Sequence, residues 1–304
     1  MYNQGGGILE EFKNVYNRGN NAHVQLILIN LVIFLVLIIS NVFLDLLMGT
    51  KAFEFVLTQL AMPSNINNFI VKPWTLVTYM FVHLGFFHIF FNMLFLYWFG
   101  KLIQEYLGSA KVISLYIIGG IAGGIMYILL YNTMGFYADR VDSSILFGAS
   151  AGVFAIVVGS ATLMPNHTFY LMFIGAVRIK YIAIFYVILS FASITGSNAG
   201  GELAHLGGAM VGFFFIKQLN QGVDWSKSVM GVIGFFKSFF SKQSKIKVSY
   251  SSRKSKSEDR QTNKSKSAKT DQEEIDHILD KISQAGYESL TKEEKQKLFN
   301  ASKK

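Results

Sequence analysis

Serine and histidine, each set among small residues, are the first chemistry visible in this chain. Gly148-Ala149-Ser150-Ala151-Gly152 opens one apolar run, and Ala204-His205, followed by Gly208 and Gly212, opens another. This pair suffices for hydrolysis by acyl transfer: a neutral imidazole takes the hydroxyl proton as general base, then delivers it to the leaving amine as general acid. A polar nucleophile and base are costly in hydrocarbon unless they react or find hydrogen-bonding partners. The pattern therefore points to peptide hydrolysis inside a membrane.

An acyl-transfer site also needs donors for the developing oxyanion. His88 and Asn92 stand four apart, on one face of a helix, with His83 about one turn earlier, all inside the otherwise apolar run Tyr79 to Phe99. The Ser150 backbone N–H, unpaired at a helix N-terminus, would complete the hole. Phe154, one turn after Ser150, is placed to stack on the imidazole. Glu202 lies three residues before His205, but a Ser-His dyad without an acidic third member is the plainer reading. His83 and His88 come with neither an HExxH signature nor a further acidic ligand, so neither a metal nor a cofactor is expected.

The elements that must position these groups are membrane spans. Half of the residues are hydrophobic (51%), and they are clumped: Val24 to Phe43 carries no charge and at about 1.5 Å per residue crosses the roughly 30 Å of bilayer hydrocarbon. Further runs extend from Thr78 to Phe99, Val112 to Leu130, Phe147 to Met164, Val177 to Ile194 and Leu203 to Ile216. The expected fold is an all-α polytopic membrane protein with six transmembrane helices. Lys101, Lys111, Arg178, Lys180 and the lysine-rich tail fall on one side, whereas the opposite loops carry only Lys51, Lys72 and Arg140. The basic side, with both termini, is cytoplasmic by the positive-inside rule. Spans four and six then both begin at the outer face, which puts Ser150 and His205 at similar depth. His205, Gly208 and Gly212 share a helical face, and Gly208-x-x-x-Gly212 allows close approach by a helix bearing Ala149, Ala151 and Gly152.

The expected organisation is a cytoplasmic arm (1–23), the membrane domain (24–220), a basic amphipathic helix on the inner leaflet (221–241), a disordered basic linker (242–269) and a small helical hairpin (270–304). Residues 242–269 hold ten Lys or Arg against Glu258 and Asp259. Anionic inner-leaflet lipid is their expected partner, and nucleic acid is not. Between spans one and two, Ala52 to Met62 reads as a short interfacial helix. Thr270-x-x-Glu273 and Thr291-x-x-Glu294 read as capping boxes of the terminal hairpin. The chain has no cysteine, which excludes disulfides and thiolate metal sites. The first apolar run lacks signal-peptide flanks and should stay as an anchor.

Taken in order, Pro73-Trp74, His83, His88-x-x-x-Asn92, Gly100 to Glu105 at a cytoplasmic turn, Gly148-x-Ser150-x-Gly152 and Ala204-His205-x-x-Gly208-x-x-x-Gly212 resemble the rhomboid family of intramembrane serine proteases. The resemblance implies a six-helix core with Ser150 as nucleophile, His205 as base, and His88, Asn92 and the Ser150 amide as oxyanion stabilisers. It also implies cleavage of single-span membrane proteins near the outer end of their helix, at small residues beside helix-weakening positions. A bacterial inner membrane is the expected location. Thr75 stands where family members often have arginine, which bears on how the outer loop is anchored. The alternatives are a non-catalytic rhomboid-like binder of membrane segments and a transporter; for the latter an inverted repeat is not found, and charged groups within the spans are nearly absent.

Overall fold

The computed structural model describes residues 21–171, 175–240, 275–283 and 286–301. The N-terminal arm up to residue 20, the basic linker 242–269 and the first capping box, Thr270 to Glu273, lie outside the described residues. Two compact units are present, Met1–Gln243 and Ser244–Lys304.

The first unit is mostly helical. Among the described residues, four helices are long and apolar enough to cross a membrane: α1 (Ala22–Met48), α5 (Phe86–Leu107), α6 (Ser109–Thr133) and α9 (Ala199–Asn220). Two shorter apolar helices join them, α7 (Ser150–Leu163) and α8 (Ile179–Ala192). Around these lie α2 (Thr50–Leu60), α3 (Ile66–Ile70), α4 (Thr75–Thr78) and α10 (Ser226–Phe240). The outward face of α1 exposes Leu35, Val36, Ile39, Val42 and Phe43, a continuous apolar surface that water would not tolerate and lipid would cover.

Helices dominate, and short strands accompany them. Two antiparallel ladders are present, β1 (Met62–Pro63) with β2 (Ile145–Leu146), and β3 (Thr168–Leu171) with β4 (Gly175–Arg178). A two-residue pairing has no periodicity to read, yet β1–β2 ties the loop after α2 to the segment that enters α7. The second apolar run is also not one helix from residue 78. The chain turns through α4 and a 3-10 turn, Tyr79–Phe81, before α5 starts after Gly85. His83 therefore lies ahead of the helix that carries His88 and Asn92. At the far end, Gly100 to Glu105 belong to the last turns of α5, not to a turn between helices. The turn is Gly108 alone, at φ 83, a left-handed conformation that lets α6 start one residue later.

The loop before α5 is well anchored without an arginine at 75. Thr75 is fully buried, and its hydroxyl donates to the Lys72 carbonyl at 2.7 Å. Trp74 Nε1 donates to the Gln59 carbonyl at 2.8 Å, and Thr78 Oγ1 to that of Leu60 at 2.7 Å, so α2 is stitched to α4.

The tightest packing joins α6, α7 and α9, and glycine makes it possible. A Cβ at Gly208 would run into the Ala151 carbonyl oxygen, and one at Gly212 into that of Ala155. A Cβ at Gly152 would lie 2.6 Å from the Tyr116 carbonyl oxygen. Both sides of the seam are thus backbone against backbone, as the small-residue pattern predicts. Two buried polar side chains meet inside: Tyr116 donates to the Met80 carbonyl at 2.9 Å and receives the Asn30 amide at 3.1 Å.

In the second unit a helix over 275–283 is followed by a 3-10 turn and by α12 (Lys292–Ala301); the helix over 275–283 is α11. The second capping box forms: Glu294 N–H donates to Thr291 Oγ1 at 3.3 Å, and Thr291 N–H to Glu294 Oε2 at 2.7 Å. Lys281 of α11 pairs with Glu294 at 2.9 Å.

Candidate active site

Ser150 is the first residue of α7, so its N–H has no partner within the helix. The segment leading into it is fixed by three contacts. Gly148, at φ 124, donates its N–H to the Tyr79 carbonyl at 2.9 Å. A Cβ at Gly148 would lie 2.7 Å from the His88 imidazole, so glycine is required there for space as well as for conformation. Ala149 N–H donates to His83 Nε2 at 3.3 Å. By accepting on Nε2, fully buried His83 must be neutral with its proton on Nδ1. His83 therefore supports the serine's loop instead of facing a substrate.

His205 stands in the second turn of α9, and its ring lies flat on Phe154, with centroids 4.2 Å apart and planes 10° from parallel. Its Nδ1 lies 3.2 Å from Glu202 Oε2 and 3.1 Å from Ser190 Oγ. With Nδ1 occupied on that edge, Nε2 is the nitrogen left for a reacting partner. Asn198, which caps α9, donates Nδ2 to the other Glu202 oxygen at 3.4 Å.

Ser150, His205, His88 and Asn92 line one cavity of about 390 Å³, walled otherwise mainly by aromatic side chains, Phe87, Phe91, Phe95, Phe147 and Tyr186. The structure thus brings together four of the groups expected from sequence, from three helices far apart in the chain. Asn92 Nδ2 donates to the His88 carbonyl at 2.8 Å, which leaves its second amide hydrogen for the cavity. Among the described residues no hydrogen bond joins Ser150 to His205. Resting contacts of this kind are often long and tighten when substrate binds. Among the described residues no group of three His, Cys, Asp or Glu could hold a metal ion.

Residues 71–221 match the rhomboid domain family. The protein contains a rhomboid domain. Residues 256–304 match a family of unknown function (DUF6576). The rhomboid region is similar to RHOMBOID-like protein 12, mitochondrial, of Arabidopsis thaliana, 30% identical over 174 residues, or 51% of this chain and 52% of the relative. It is also similar to RHOMBOID-like protein 5 of the same plant, 27% identical over 143 residues, or 47% of this chain and 43% of the relative. The chain spans about half the length of these curated relatives. The rhomboid domain includes every residue of the cavity.

Two groups around His205 were not chosen from sequence. Glu202, which a dyad leaves out, touches His205 Nδ1. Ser190 was missed. In the structure its hydroxyl is buried while Ile184, Phe185, Ile188, Leu189 and Phe191 on the same helix are exposed; the sequence carries no signal for it.

Proposed function

We propose that the rhomboid domain is an intramembrane serine endopeptidase that hydrolyses peptide bonds in or beside transmembrane helices of other membrane proteins. The observation that carries this reading is the shared cavity of Ser150, His205, His88 and Asn92, with the imidazole clamped on one nitrogen and one face. In the proposed reaction, His205 Nε2 takes the Ser150 hydroxyl proton as Oγ attacks the scissile carbonyl. The oxyanion is held by the Ser150 N–H, His88 and the free Asn92 amide hydrogen; loss of one such donor typically costs about 10²–10³ in rate. The imidazolium then protonates the departing amine, and water resolves the acyl-enzyme by the same steps.

The length of α7 supports a site below the membrane surface. Its 14 residues span about 21 Å, less than the roughly 30 Å of hydrocarbon. A helix that reaches the cytoplasmic face at Leu163 begins, at Ser150, several ångströms beneath the opposite surface. A substrate helix must expose its own backbone to reach that point, which disfavours strongly helical segments and favours small or helix-weakening residues.

In this reading the six apolar helices cross the bilayer with both termini on the cytoplasmic, lysine-rich side. Beyond Met230, α10 exposes Val232, Phe235 and Phe236 beside Lys237, a surface suited to the headgroup region of an anionic leaflet.

The test is cleavage of a single-span membrane protein in liposomes by the full chain and by Ser150→Ala and His205→Ala. Both variants should express and insert normally and lose cleavage. Cleavage that survives both substitutions overturns the assignment. Absence of cleavage by the unaltered chain against a panel of single-span helices favours a rhomboid-like protein that binds membrane segments without cutting them.

A further inference from the structure

The clamp on His205 Nδ1 has a chemical consequence. A neutral imidazole carries one proton, and only the nitrogen without it has a lone pair for a serine hydroxyl. An ionised carboxylate can only accept. If Glu202 is ionised, the 3.2 Å contact to Nδ1 therefore places the proton on Nδ1 and leaves Nε2 bare.

Two features favour the ionised form of Glu202. It lies in the first turn of α9, where the helix dipole favours negative charge. Asn198 Nδ2 donates to its Oε1. The Glu202 side chain is 18% exposed and that of His205 15%, so water competes only weakly for either. Ser190 is 3% exposed and comes from α8, so the Nδ1 edge of the ring is held by two elements, not one. Phe154 holds the face.

Resting on the protease reading above, we propose that Glu202 is the positioning residue of a Ser150–His205–Glu202 triad, and that Ser190 braces the same edge. Glu202 fixes the tautomer and rotation of His205 so that Nε2 presents its lone pair toward Ser150. It then stabilises the imidazolium formed when the hydroxyl proton arrives. The Nδ1 proton stays where it is throughout, and Glu202 takes up none. The Nε2 proton goes on to the leaving amine.

The experiment has two arms on the full chain. Glu202→Gln keeps the size but offers an amide N–H to Nδ1, which favours the wrong tautomer. By analogy with carboxylate-to-amide changes in serine protease triads, kcat should fall by on the order of 10² or more while KM changes by less than about threefold. Glu202→Asp should recover at least about tenfold of that loss, and Ser190→Ala should lose less than Glu202→Gln. Equal loss in the Gln and Asp variants, or a Gln variant within about twofold of the unaltered chain, overturns the proposal. The second arm reads the tautomer in the unaltered chain and uses a variant only for assignment. In histidine-¹⁵N-labelled, unaltered protein, with the His205 signals assigned by their loss in His205→Ala, neutral His205 should carry its proton on Nδ1. A proton on Nε2 overturns the proposal. Failure of the unaltered chain to cleave anything is instead a failure of the protease reading, and leaves the tautomer measurement to decide the role of Glu202.

Discussion

Phe154 and His205 lie face to face at 4.2 Å, although they come from different helices. The contact depends on α7 and α9 approaching along Gly208 and Gly212, so the small-residue seam sets the imidazole orientation as well as the fold. An aromatic pair of this kind is worth about 0.5–1.5 kcal/mol beyond burial. Phe154→Ala should lower kcat by roughly tenfold and leave KM nearly unchanged, whereas Phe154→Tyr should stay within about threefold. Steady-state cleavage kinetics on the two variants measure this directly.

Much of the site was legible because its signals are local. Ser150 and His205 announce themselves by small neighbours, and helical spacing puts Phe154 on the serine's helix and Asn92 beside His88. Glu202 was visible but undecidable: whether a residue at i−3 reaches the ring depends on its rotamer, which Asn198 sets at the helix cap. Ser190 was hidden because α8 is apolar over most of its length, and which side faces His205 is fixed only by how two distant segments rotate against each other. His83 was misplaced for a different reason. An unbroken apolar run reads as one span, and Gly85 alone marked the point where the chain leaves the 3-10 turn and restarts as α5.

His83 gives the next prediction. Its imidazole is the only described partner for the buried Ala149 N–H, next to the nucleophile. His83→Ala should destabilise the protein by about 1–3 kcal/mol, the cost of leaving a buried donor unsatisfied, and lower cleavage because the Ser150 loop is released. His83→Gln, which offers an acceptor oxygen, should restore part of both. Thermal melts in detergent alongside cleavage assays separate this supporting role from a direct contact with substrate, which would leave stability unchanged.

The seam between α7 and α9 can be tested without touching the reacting groups. Gly212→Ala places a methyl against the Ala155 carbonyl and should cost about 1–3 kcal/mol by overpacking. Gly231, which has open space where its Cβ would be, provides the control: Gly231→Ala should be neutral or slightly stabilising, since alanine is the better helix former. The comparison of the two melting temperatures checks whether backbone contact or mere flexibility selects glycine at 212.

Asp224 links α6 to the start of α10, outside the apolar spans. Its carboxylate meets Lys111 Nζ at 2.8 Å and the Ser226 hydroxyl at 2.6 Å, and these bonds, the lysine's first, hold its pKa down to about 2. A depressed carboxyl pKa means stability that is complete above the ordinary value, about 4, and lost as pH falls through about 2. Asp224→Asn should therefore lower stability near neutral pH, by about 1 kcal/mol. The gap to the unaltered chain should close as the medium is acidified toward pH 2. Paired melting curves across that range provide the measurement.

The central claim, that Ser150 is a nucleophile activated by His205, is tested most directly by reaction of the purified full chain with a fluorophosphonate, with the adduct mapped by mass spectrometry. The prediction is one adduct, on Ser150, formed at a rate that falls by on the order of 10² or more in His205→Ala. An unlabelled Ser150, or one that reacts equally fast without His205, would contradict it.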